Sequence, residues 1–259
     1  MNKKLLWKIE ELWNKYFSLK TCHCELTKQS FLSYENLYIN NISIYNPDFH
    51  LVQEFNFSPS KKIVHRDSYG EYLGLNNSQV LFLDRKQIYL FDNHHKIIQA
   101  FLEYSEITGE GFDVVHIDAH NDDAVFPVEK PHQLEIRDVQ KYIDQTLISD
   151  FFDFMSDASL QGEDCAELDS VKQSQKLIKK IHRYTKSTDF KEFKKPKIPY
   201  IVSLDIDIFG PEGDFVDLES KVRIIAEAWS DADVVCIAMS PGFINRDYAQ
   251  EIIKIFTKH

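Results

Sequence analysis

From residue 79 onward the chain repeats one pattern: a short apolar run, a polar break, then apolar residues at three- and four-residue steps. QVLFLD (79–84) and QIYLFD (87–92) have strand length and flank Asp84-Arg85-Lys86, which predicts a hairpin. FDVVHID (112–118), PYIVSLDIDIF (199–209) and DVVCIAMSP (233–241) read as buried strands. Between them, HHKIIQAFLEY (94–104) follows Asp92-Asn93, two helix N-cap residues. Helical spacing also covers Glu135 to about Met155, Cys165 to about Thr185, Leu218–Trp229 and Asp247–Thr257.

Apolar strands alternating with helices predict an α/β fold with a mostly parallel central sheet covered on both faces. The first 75 residues read differently. Leu5, Leu6, Ile9, Leu12, Trp13 and Phe17 form the apolar stripe of a helix, and LYINNISIY and HLVQEFNF are extended pieces among Asn, Pro and Ser. Residues 1–75 are therefore an N-terminal extension packed on a core of residues 76–259, in one compact domain.

Composition removes several classes of function. A formal charge of −11 argues against nucleic acid and against an anionic membrane surface. No stretch approaches the roughly 18 apolar residues of a membrane span, and the N-terminal stretch has no apolar core of a secretory signal. Cys22, Cys24, Cys165 and Cys236 form no CxxC pair, so the expectation is a cytoplasmic protein with free thiols.

Chemistry gathers where apolar runs end, the end of a parallel sheet where reactive groups collect. His94, Asp118 and Asp205 each follow such a run directly. In VVHIDAHNDD an extended backbone would turn Asp118, His120 and Asp122 to one side; in SLDIDIF it would do the same for Asp205 and Asp207. His116, two residues before Asp118, reads as a core or supporting histidine. Neighbouring buried carboxylates are costly without counter-charge. Six donors (His94, Asp118, His120, Asp122, Asp205, Asp207) exceed the three or so that hold a catalytic zinc. They suit two divalent ions about 3.5–4 Å apart.

DAHND (118–122) resembles the DAHxD motif of the ureohydrolase (arginase–agmatinase) superfamily, and SLDIDIFGP (203–211) resembles its SxDxDxxDP, with Gly210 in place of the later Asp. FDNHHKI (91–97) stands where that superfamily has GGDHS. Together with SPGF (240–243) the combination looks like a divergent arginase-like branch that includes the peptide arginases of ribosomally made natural products. The resemblance implies a three-layer arginase/deacetylase-like fold and two Mn ions, with Fe or Co possible. The implied activity is conversion of arginine side chains in a precursor peptide to ornithine and urea, by attack of a metal-bridging hydroxide. His94 and Asp122 would serve one ion, His120 and Asp207 the other, and Asp118 and Asp205 both. Asp122 would also accept a hydrogen bond from the hydroxide. His132, twelve residues after His120, is either a proton shuttle or an ordinary loop residue.

One departure bears on substrate. The superfamily carries a guanidinium-binding Glu shortly before an Asn-Pro, where this chain has Ala238, Met239 and Ser240 before Pro241. Glu163, Asp164, Glu212 and Asp123 are the candidate replacements. Three other functions compete: a metal-dependent amidohydrolase or deacylase of the same fold, a hydrolase of a small free guanidino compound, and a metal-dependent peptide-binding module without catalysis.

Overall fold

A computed structural model describes residues 3–18, 49–67, 69–83, 86–92, 111–120 and 178–258, together with His94, Ile97, Ala100, Phe101, Glu103 and Tyr104. The central feature is a seven-stranded sheet in the order β1-β4-β5-β9-β8-β6-β7. Its strands are β1 (Phe49–Val52), β4 (Ser78–Leu83), β5 (Lys86–Phe91), β6 (Phe112–Ile117), β7 (Ile178–Tyr184), β8 (Tyr200–Asp205) and β9 (Val234–Ala238). Every neighbouring pair is parallel except β4–β5, the hairpin expected from the two apolar runs. A separate antiparallel pair, β2 (Pro59–Asp67) and β3 (Gly70–Leu75), lies outside this sheet.

β6, β8 and β9 are buried along their whole length, which is why they read as continuous apolar runs. Successive side chains still alternate between faces. Leu90, Val115, Ile117, Val202, Leu204 and Ile237 join one core with helices α1 (Lys3–Ser18), α2 (Leu218–Asp231) and α3 (Arg246–Phe256). The alternate set, including Tyr89, faces the other way, where the Tyr89 hydroxyl donates to Glu103 (2.8 Å), one of the helical residues Ile97, Ala100, Phe101, Glu103 and Tyr104. Helical residues thus cover both faces.

Local signals set the helix starts. Asp217 caps α2 by accepting from the Ser220 amide, and Asn245 caps α3 by accepting from the Tyr248 amide. The N-terminal helix is tied in by aromatic packing: Trp13 stacks on Phe17 and meets Trp229 and Phe256. β1 adds to the sheet edge alongside β4.

One predicted element is wrong. Of the helix expected from Cys165 to about Thr185, the described part is a strand: Ile178–Tyr184 is β7, paired with β6, and residues 165–177 lie outside the described residues. Ile178, Ile181 and Tyr184 recur at three-residue steps, and the Lys and Arg between them favour helix, so the local pattern misleads. The ladder to β6 overrides it at the sheet edge, where the intervening Lys179 and Lys180 are exposed. The helix expected at 135–155 and the extended piece LYINNISIY lie outside the described residues.

Among the described residues no helix is long and apolar enough to cross a membrane.

Candidate metal centre

Four adjacent parallel strands, β5, β9, β8 and β6, end at one edge of the sheet, and the candidate residues leave from those ends. His94 follows β5, Asp118 follows β6, and Asp205 ends β8. The chain does not stay extended beyond them. β6 stops at Ile117, and β8 gives way to a 3-10 turn at Ile206–Phe209. The expected alternation is therefore replaced by two matching turns. Asp118 Oδ1 accepts from the His120 amide (2.6 Å), and Asp205 Oδ1 accepts from the Asp207 amide (2.9 Å). In each motif the first Asp uses its carboxylate to fold the chain back, the habit of Asp at turns. The second member, His120 or Asp207, is thereby brought into the centre.

The donors converge on Asp118. Its Oδ2 lies 3.0 Å from His94 Nδ1 and 3.7 Å from His116 Nε2. Its Oδ1 lies 3.3 Å from His120 Nδ1, which is 2.8 Å from Asp207 Oδ2. Two groups of ligand atoms result, His94–His116–Asp118 and Asp118–His120–Asp207, sharing Asp118. Asp205 stands beside the first, its Oδ2 3.7 Å from His94 Nδ1, and takes a hydrogen bond from the Ser240 hydroxyl.

Asp118, Asp205 and Asp207 are almost wholly buried. Among the described residues their ion-pair partners are histidines rather than Lys or Arg. Burial pushes Asp205 well above the usual carboxylate range, and the charges of Asp207 and Asp118 push it further. Burial and the Asp118 charge push Asp207 up to about 6. Burial also acts to raise Asp118, but hydrogen bonds from His120 and His94 outweigh it and hold that carboxyl well below its ordinary value. Hydrogen bonds to Asp118 and Asp207 raise the His120 imidazole to about 12. Three carboxylates around histidines form a site built for positive charge, and the mixed oxygen and nitrogen donors fit a first-row divalent ion.

Glu212 marks the mouth. It forms a short contact with His120 Nε2 and is 55% exposed in its side chain. The Phe243 ring lies 5.2 Å from His120, nearly edge-on at 70°. Gly210 is packed so tightly that a Cβ would come within 2.8 Å of the Phe243 carbonyl and 2.9 Å of the Asp207 carbonyl. No side chain fits there without moving backbone.

Of the candidates from sequence, His94, Asp118, His120, Asp205, Asp207 and Glu212 come together. Asp122, Asp123, His132, Glu163 and Asp164 lie outside the described residues. His116, expected as a core or supporting histidine, is fully buried, and its Nε2 lies among the first group of potential ligand atoms. Its position two residues before Asp118 on one strand face was the available signal. Ser203 and Ser240 carried no such signal, because a serine in an apolar strand gives no hint of its partner.

Comparisons of the chain with protein-family models, with curated proteins and with solved structures each find no match.

Proposed function

We propose that the chain is a dinuclear metal hydrolase of the ureohydrolase type, converting arginine side chains within a peptide to ornithine with release of urea. The observation that carries this reading is the divided use of Asp118: Oδ2 turns to His94 and Oδ1 to His120. A carboxylate with a separate donor group at each oxygen is what a pair of neighbouring ions requires. His94, Asp118, His120 and Asp207 would hold the ions, with Asp205 beside His94. When bound, two divalent cations supply charge neutralisation and an activated water for hydrolysis.

The remaining roles belong to the chain's own side chains. With His120 Nδ1 directed at Asp118 and Asp207, its Nε2–H donates to Glu212 and fixes the ring. Ser240 turns its hydroxyl inward to Asp205, so the end of β9 offers no carboxylate to a guanidinium. Glu212 does, from the rim, with the Phe243 face nearby for a planar cation. A half-exposed carboxylate at an open rim suits a side chain presented on a peptide better than a free amino acid that must be enclosed.

Mass spectrometry tests the reading directly. An arginine-containing peptide incubated with Mn-loaded protein should lose the mass of one cyanamide unit per converted arginine, because water enters and urea leaves. Conversion of free arginine but not of peptide would overturn the peptide assignment. No change in either, with release of acyl groups from acylated lysine peptides, would move the protein to the deacylase class.

A further inference from the structure

Resting on the dinuclear reading, we propose that His116 is a metal ligand and that the two ion positions are chemically unequal. The deep position takes two imidazoles and Asp118; the outer one takes His120, Asp207 and the other oxygen of Asp118.

The argument begins with register. β6 and β8 are parallel neighbours with His116 opposite Ser203, so both side chains project to the same face of the sheet. His94, arriving from β5, stacks its ring on His116 with centroids 5.0 Å apart and planes 19° apart. The two rings are oriented alike. His94 Nε2 and His116 Nδ1 both face the Ser203 hydroxyl, at 2.5 and 3.4 Å. Their opposite nitrogens, His94 Nδ1 and His116 Nε2, both face Asp118 Oδ2.

Donor and acceptor bookkeeping then separates the arrangements. A neutral imidazole has one N–H and one lone pair, and a serine hydroxyl has two lone pairs but a single hydrogen. Ser203 can accept an N–H from both rings at once; it cannot donate to both. Without metal the His94 N–H on Nδ1 meets Asp118; a cation among these atoms favours the other tautomer, in which both N–H groups lie on Ser203 and both imidazole lone pairs face the Asp118 oxygen. The spacings agree. Atoms bound to one ion at about 2.1 Å lie about 3.0–3.6 Å apart for bond angles between roughly 90° and 120°, against the observed 3.0 and 3.7 Å. Ser203 is thus a positioning residue that holds two ligands in the metal-binding tautomer.

The inequality follows from chemistry and from depth. With two imidazoles beside Asp118, and Asp205 Oδ2 3.7 Å from His94 Nδ1, the deep set is richer in nitrogen than the outer one, which favours Zn, Fe or Co there and Mn at the outer position. His94, His116 and Asp118 are buried, while the His120 side chain is 34% exposed. The deep ion is the slowly exchanging one, and the outer ion comes and goes.

The test uses the full chain, stripped of metal and titrated with Co(II) and, separately, Mn(II). Bound ions are counted by elemental analysis, and coordinated imidazole nitrogens on the first Mn(II) by pulsed electron spin-echo spectroscopy. The expected result is two separable binding steps, the first ion carrying two imidazole nitrogens. His116→Gln should weaken that step by more than about 100-fold and leave one nitrogen, whereas Ser203→Ala, altering only ligand orientation, should weaken it by about 10–100-fold. The wild-type nitrogen count needs no variant to fold. A single nitrogen on the first ion, with two ions still bound, overturns the role of His116 and leaves the dinuclear reading intact. Failure of the wild-type chain to take two ions overturns both.

Discussion

His120 Nδ1 sits 2.8 Å from the Asp207 carboxylate and 3.3 Å from that of Asp118, so one imidazole edge bridges two buried acids. Hydrogen bonds to these two partners raise its pKa to about 12, which keeps a proton on the nitrogen that an incoming cation needs. Metal uptake at neutral pH should therefore release protons, and affinity should rise with pH by about one log unit per pH unit for each proton displaced. Isothermal titration calorimetry in buffers of different ionisation enthalpy would count them. Uptake without proton release would mean that His120 is not a ligand.

The stability of the metal-free chain should fall as pH rises above about 4. Asp207 titrates at about 6 in the fold against an ordinary 3.8, and Asp205 is raised as well, so the folded state keeps protons that the unfolded chain has lost. The stabilising contribution is fully present below the unfolded value and is lost as pH rises through the folded one. For Asp207 this amounts to about 3 kcal/mol across the window. His120 acts in the same direction above its ordinary 6.5. Asp118, held low, opposes the trend only below 3.8. Urea midpoints should decline between about pH 4 and pH 6 in chelator, and divalent metal should remove the decline. A midpoint that rises through this window would contradict the burial of these acids.

Glu212→Gln separates substrate binding from ligand orientation. Loss of a carboxylate that meets a guanidinium should raise KM for an arginine peptide by about 10–100-fold, since a charge-assisted hydrogen bond contributes about 1.5–3 kcal/mol. If Glu212 acted only on His120, metal affinity would drop and KM would stay unchanged.

Trp13 offers a test of the N-terminal helix. Its ring is fully buried among Phe17, Trp229 and Phe256. Trp13→Ala should cost about 3–5 kcal/mol, read as a lowered urea midpoint. A loss below about 1 kcal/mol would mean that α1 is not part of the cooperative core.

The amino-acid sequence by itself determined the apolar strands, the β4–β5 hairpin, and helices α1, α2 and α3, because these elements are marked by their own periodicity and flanking residues. It also determined that His94, Asp118 and Asp205 would sit where strands end. Tertiary structure decided the rest. Ile178–Tyr184 became a strand because a free ladder on β6 outweighed a helical spacing. Asp118 and Asp205 reached the centre through turns closed by their own carboxylates rather than through strand alternation, since the backbone leaves the sheet at that point. The pairing of His116 with Ser203 is a matter of parallel register between strands more than eighty residues apart. No local pattern encodes such a contact, because register is fixed only when whole strands settle against one another.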